Sequence, residues 1–254
     1  MHERLTESSS FDQLPGKSAY PLDLRGHTQN TVGVWRALKI GLLAVVVGII
    51  AIVAVATAGR SAGKAQARPV LAVVGASISY GIGADGANQA WPAVLGKQLG
   101  WRTVVSADPG AGYLAPGQRA RGPMRKLIAE LNLTTTHPSV VIVQAGYNDI
   151  GMPAAQLTDS VRQVVRQIHA EAPGAAIGVL TVFPKGRPSE AAAATDAVIV
   201  SAARSADPHV VVFDPITAHW MFPTVTDRLH PTPAGHRWIA DRMLTDFRRD
   251  GLVH

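Results

Sequence analysis

Three short apolar runs in this chain each lead into residues able to do covalent chemistry. Ser77 follows Val70 to Val74, Asn148 follows Ser139 to Ala145, and Asp227 and His230 lie beyond His209 to Phe213. These types suit nucleophilic attack on an ester. A serine hydroxyl attacks poorly until an imidazole takes its proton, and the imidazole works best when a carboxylate holds its tautomer and stabilises the cation that forms. Asp227, placed three residues before His230, can do so from the same loop. Attack creates an oxyanion, and each N–H donor preorganised at that point is worth ~3 kcal/mol of barrier. The backbone N–H groups of Ser77 and Gly110 and the side-chain amide of Asn148 would supply three.

Each feature alone has an ordinary explanation. A Gly-x-Ser turn after a strand is commonly just a turn, and the Gly-rich stretch Ser106 to Gly112 is commonly a tight connection. Asn148-Asp149 suits the cap of a following helix, and His230 is one of nine histidines. Their joint order, at the ends of successive apolar runs, is what points to one site. Gly112 stands as an alternative to Gly110, and Asp214 as a rival to Asp227 for orienting the histidine.

The elements that must position these residues are legible from periodicity. Val70 to Val74, Thr103 to Ser106, Ser139 to Ala145, Ala175 to Phe183 and His209 to Phe213 show almost no polar alternation, as expected of parallel strands covered on both faces. Helices are expected between them over Trp91 to Leu99, Met124 to Leu133, Pro153 to Ala172, Ser189 to Ser205 and Thr232 to Phe247. The third is the clearest, with Pro153 in its first turn, Leu157, Val161, Val164, Val165 and Ile168 on one stripe, and Pro173-Gly174 as a stop. Regular alternation of strand and helix implies a three-layer α/β domain with right-handed crossovers. In such sheets reactive groups collect beyond the carboxyl ends of the strands, where all the candidates lie.

On these residues the chain resembles the SGNH hydrolases of the GDSL lipase/esterase superfamily over about residues 70 to 248. Ser77 matches the nucleophile of block one, Gly110 the glycine of block two, Asn148 in Gly146-Tyr147-Asn148-Asp149 the asparagine of block three, and Asp227 with His230 the D-x-x-H block. The resemblance implies a flavodoxin-like five-stranded parallel sheet in the order 2-1-3-4-5, acyl-ester hydrolysis by Ser77, Asp227 and His230, and an oxyanion hole of Ser77, Gly110 and Asn148. It implies no metal and no cofactor. The family usually has Gly-Asp-Ser in block one. Here Ala76 replaces the Asp, so altered support of the nucleophile turn is expected. The α/β-hydrolase pattern G-x-S-x-G fails, since position 79 is Ser.

The rest of the chain bears on location. Residues 40–59 form a run of 20 without a charge, long enough as a helix to cross a hydrocarbon core of roughly 30 Å. Residues 1–39 read as a disordered tail, 60–69 as a short stalk, and 70–254 as the catalytic domain. A cleaved signal peptide competes with a permanent anchor, because Ala54-Val55-Ala56 and Ala56-Thr57-Ala58 resemble cleavage sites. The length of the apolar run and the long leading segment favour the anchor. The net charge of +6 divides into +4 over residues 1–69 and +2 over 70–254, so the basic excess sits mainly beside the apolar run. With no basic stretch interleaved with aromatics, nucleic-acid binding is not expected. Zero cysteines exclude disulfides, thiolate nucleophiles and Cys-based zinc sites.

The expected protein is therefore a single-pass, membrane-anchored serine esterase with its catalytic domain outside the cytoplasm, acting on a small-molecule or glycolipid ester. The same residues would serve an acyltransferase or deacylase of cell-envelope glycan or glycolipid. A catalytically idle carbohydrate-binding module is the reading of a different class, motivated by Ala76.

Overall fold

The structure, a computed structural model, describes residues 68–253. Its first strand, β1 (Val70–Gly75), is buried at every position because apolar side chains leave it in both directions. Leu71 and Val73 enter one core, Ala72 and Val74 the other, following the period-two alternation of an extended chain. Four further strands, β2 (Arg102–Ala107), β3 (Val140–Gln144), β4 (Ala176–Leu180) and β5 (Val211–Phe213), complete one sheet in the order β2-β1-β3-β4-β5. All four pairings are parallel, as expected.

Among the described residues seven α-helices connect and cover the strands: α1 (Ser77–Tyr80), α2 (Trp91–Leu99), α3 (Met124–Glu130), α4 (Leu133–Thr136), α5 (Ala154–Glu171), α6 (Glu190–Ala206) and α7 (Pro233–Arg249). Leu157, Val161, Val164, Val165 and Ile168 form the buried stripe of α5, which joins residues of α3 and α6 over one face of the sheet. The other face is covered by α2 and α7 through Trp91, Leu95, Ile239, Met243 and Phe247. Two of the helices begin on side-chain caps. Ser189 Oγ accepts the Ala192 N–H at 3.1 Å, and Thr232 Oγ1 accepts the Gly235 N–H at 3.2 Å ahead of Pro233.

Three details differ from the sequence-based expectation. The helix expected over Met124 to Leu133 breaks at Asn132, whose φ of +46° is left-handed and separates α3 from α4. The fourth strand stops at Leu180, because the Val182 N–H goes to the Asp196 carboxylate of α6 at 3.1 Å and not to a neighbouring strand. Strand β2 lies at the sheet edge and leaves Val105 exposed. The apolar run 40–59, the tail 1–39 and most of the expected stalk lie outside the described residues. Among the described residues no helix is long and apolar enough to cross a membrane.

Candidate active site

Strand β1 ends at Gly75, Ala76 remains extended at φ −95°, and the chain then turns sharply into α1 with Ser77 as its first residue. One side chain on the neighbouring strand holds this turn. Gln144 Oε1 accepts the Ser79 hydroxyl at 2.9 Å and the backbone N–H groups of Ala76 and Ser79, both at 3.3 Å. Gly75 is required by the same packing, since a Cβ there would run into the Ser79 side chain. The support expected to change with Ala76 thus comes from a buried neutral amide on β3. Sequence reasoning does not single out Gln144, although it is the one polar residue in the run Val140–Gln144.

Ser77 Oγ lies 2.8 Å from Nε2 of His230, and Nδ1 of His230 lies 2.5 Å from Oδ2 of Asp227. A carboxylate can only accept, so Nδ1 carries the proton and Nε2 is left to accept from the serine hydroxyl. The second carboxylate oxygen, Oδ1, accepts the N–H groups of Leu229 and His230, each at 2.9 Å, around a turn in which Arg228 has φ +59°. Burial pushes the Asp227 carboxyl up, but hydrogen bonds from the His230 ring and from these two backbone groups outweigh it and hold the pKa at about 2. Backbone bonds from Val225 N to His230 O at 2.9 Å and from Thr232 N to Pro223 O at 3.0 Å close the loop at its base. The rival Asp214 faces elsewhere, accepting the Thr217 N–H at 2.8 Å.

Gly110 sits in the loop after β2 at φ +79°, a conformation that glycine adopts without strain. Among the described residues, neither the Ser77 N–H nor the Gly110 N–H is taken by a protein acceptor. Asn148 donates one Nδ2 hydrogen to the Ala111 carbonyl at 2.8 Å, which sets it against the Gly110-Ala111 peptide and leaves its second amide hydrogen available. The N–H of Gly112 is spent on Ala115 O at 2.9 Å, so Gly110 is the better placed of the two glycines. Register explains the convergence: Gly75 pairs with Ala107 on one side and with Gln144 on the other, so the segments bearing Ser77, Gly110 and Asn148 leave three adjacent strands at one level.

The loop that presents Gly110 is shaped by two buried carboxylates. Asp149 accepts the N–H groups of Tyr113 and Leu114, both at 2.9 Å, and of Ala115 at 3.3 Å. It braces this loop instead of capping a helix, the role suggested by its position after Asn148. Burial raises its pKa above the usual carboxylate range against the pull of those three bonds. Asp108 accepts the N–H groups of Arg119 and Arg121, each at 3.2 Å.

Residues 73–238 match the model of the GDSL-like Lipase/Acylhydrolase family. The chain belongs to that family. It is accordingly an SGNH-type hydrolytic esterase. A GDSL lipase of Mycobacterium tuberculosis is 28% identical over 189 residues, spanning 68% of this chain and 79% of the relative. Among solved structures, a family two carbohydrate esterase from Clostridium thermocellum, determined in complex with cellohexaose, is similar with a TM-score of 0.58 and 16% identity over 74% of this chain. The match covers 66% of that esterase, just under two thirds of its length. Esterase EstA from Pseudoalteromonas sp. is similar with a TM-score of 0.55 and 17% identity, over 71% of this chain and 97% of that one. At these identities the two structures speak for the fold alone.

The remaining candidate residues of this GDSL-family esterase divide between core and rim. Tyr113 is buried, with its phenol pKa pushed up by burial and then by Asp149, and belongs to the core. Tyr147 packs partly buried against both cores. Tyr80 is exposed and accepts from Arg119 at 2.7 Å, with the guanidinium 4.7 Å from its ring centre. In the run His219 to Pro223, Trp220 is buried and Phe222 joins Phe183, Trp220 and Trp238 in an aromatic cluster. His236 is a buttress: its Nδ1 accepts the Trp91 N–H at 3.3 Å, and its Nε2 donates to the Ile82 carbonyl at 3.1 Å. Among the described residues no group of three or more His, Asp or Glu side chains could hold a metal ion.

Proposed function

We propose that this esterase cleaves acyl esters through Ser77, His230 and Asp227, with the Ser77 and Gly110 N–H groups and the Asn148 amide receiving the oxyanion. The observation that carries the reading is the unbroken hydrogen-bonded line from Ser77 Oγ to His230 at 2.8 Å and from His230 to Asp227 at 2.5 Å. As Oγ bonds to the ester carbonyl carbon, its proton passes to Nε2. Collapse of the tetrahedral intermediate breaks the bond to the alkoxide, which leaves with that proton. Water then gives a proton to Nε2, attacks the acyl-serine, and restores the Ser77 hydroxyl as the acid departs.

Turnover of p-nitrophenyl butyrate by the wild type and by Ser77→Ala and His230→Ala proteins tests this. A fall of about 10³-fold or more in each variant is expected for members of one nucleophilic unit. Retained turnover in Ser77→Ala contradicts the reading. Release of p-nitrophenol that climbs steeply on adding a sugar acceptor would assign acyl transfer instead of hydrolysis.

The proposal extends to location: residues 40–59 anchor the chain, with the N-terminus inside and the catalytic domain extracytoplasmic. It rests on the length and charge-free character of that run. External protease should degrade the catalytic domain on intact spheroplasts. Protection of the domain until the membrane is permeabilised would overturn this placement.

A further inference from the structure

Beside the catalytic loop lies a cavity of about 440 Å³ whose charged lining is cationic only. Arg187 enters it from the segment after β4, and Arg228 from the turn between Asp227 and His230. Ile216, Trp220, Met221 and Phe222 supply an apolar wall, and no Asp or Glu side chain lines the cavity. The nearby Asp227 carboxylate is engaged with His230 and two backbone N–H groups. Among the described residues, the arginine–carboxylate ion pairs use Arg121, Arg242 and Arg249, not Arg187 or Arg228. The cavity therefore presents positive charge that no lining carboxylate neutralises.

Backbone conformation places two of the lining residues. Five non-glycine residues of the described chain have positive φ, and two of them, His219 at +50° and Arg228 at +59°, line this one cavity. Glycine would meet the backbone requirement at 228 with less strain. Arg228 takes its conformation from the turn that Asp227 Oδ1 holds, and that turn brings the residue to the lining of a cavity of ligand size. Paired guanidiniums recognise carboxylate and phosphate in planar, charge-assisted geometry.

We propose that this cavity takes the anionic end of the ester substrate: a carboxylate or phosphate joined to an apolar chain. The substrate assignment rests on the esterase reading, whereas the anion site itself can be tested without turnover. Two p-nitrophenyl esters differing only at the far end of the acyl chain, the neutral pentanoate and the mono-adipate, are compared on the full chain at low and high salt. Isothermal titration of butyl phosphate into the full-length Ser77→Ala protein supplies the second arm.

On the acyl side, the site would give kcat/KM for the adipate roughly tenfold above the pentanoate at low salt, a preference that shrinks as salt screens the charges. Arg187→Gln should bring the two esters to parity with pentanoate turnover unchanged. Arg228→Gly should weaken the preference with no loss of thermal stability. An anion belonging to the alcohol part would leave the esters equal, yet butyl phosphate would bind Ser77→Ala and lose affinity when Arg187→Gln is added. Equal esters with no butyl phosphate binding, or an adipate preference untouched by both arginine substitutions, overturns the proposal. Failure of the esterase reading would show separately, as pentanoate turnover surviving in Ser77→Ala.

Discussion

Gln144 changes what a Gly-Ala-Ser turn means. A carboxylate beside the nucleophile normally organises the turn in this family, and its loss at Ala76 raises the idea of an idle module. Here an amide oxygen collects three donors from Ala76 and Ser79, so the turn is held without a second negative charge near Ser77. Removing that acceptor would strand buried donors, each costing about 1–3 kcal/mol. Gln144→Leu should therefore lower stability by about 3 kcal/mol or more and kcat by about tenfold or more, with KM little changed. Gln144→Glu keeps the acceptor oxygen and should recover most of kcat. Thermal melts and steady-state kinetics on the three proteins check both statements. At Asp227 the pKa near 2 keeps the carboxylate ionised across the working range. The acid limb of kcat/KM should consequently lose activity with a single proton; a slope of two would contradict a permanently ionised Asp227.

Among the elements, buried side chains far away in sequence tie the segments around the site to the scaffold. Asp149 binds the Tyr113 to Ala115 segment from the third strand end. Asp149→Asn would turn an amide N–H₂ toward donors, and one such mismatch costs about 1–3 kcal/mol. The expected result is a loss of that size in denaturant melts, with kcat reduced through the displaced Gly110 loop. His236 ties the start of α2 and the Ile82 carbonyl to α7. Burial lowers its pKa below the ordinary histidine value, followed by a backbone bond that opposes the shift and by the nearby His230 that adds to it. A depressed histidine pKa means that the contribution to stability is whole above the ordinary pKa near 6.5 and is lost as pH falls below it. Melting temperature should thus drop between about pH 7 and pH 5, and drop less steeply in His236→Gln. An equal slope in the two proteins would rule out His236 as the source.

For the whole molecule, much was legible in the sequence because the signals are local or periodic. The apolar runs of β1 and β3, the stripe of α5 and the caps and prolines at the helix starts are written in neighbouring residues. Asp227 and His230 are legible for the same reason, sharing one short loop. Gln144, the bracing role of Asp149 and the cationic cavity are not, since each joins residues separated by tens of positions, and only the fold makes them neighbours. The strand that stops at Leu180 fails for a similar reason: an α6 carboxylate takes a donor that the apolar pattern assigns to the sheet. The anchoring proposal also belongs to this scale. Deleting residues 1–66 should move the esterase from the membrane fraction to the soluble fraction with kcat on p-nitrophenyl butyrate within about twofold. The described residues, 68–253, are compact by themselves, and both cores are built from them. A truncated protein still sedimenting with membranes would place the attachment elsewhere.

The central claim is that Ser77, activated by His230, is the group that becomes acylated. Intact-mass and peptide mass spectrometry after treatment with a fluorophosphonate measures this most directly. One phosphonyl group per chain, on the peptide containing Ser77 and absent from Ser77→Ala and His230→Ala, is the predicted result. Labelling at another residue, or none in a protein that still hydrolyses p-nitrophenyl butyrate, would contradict it.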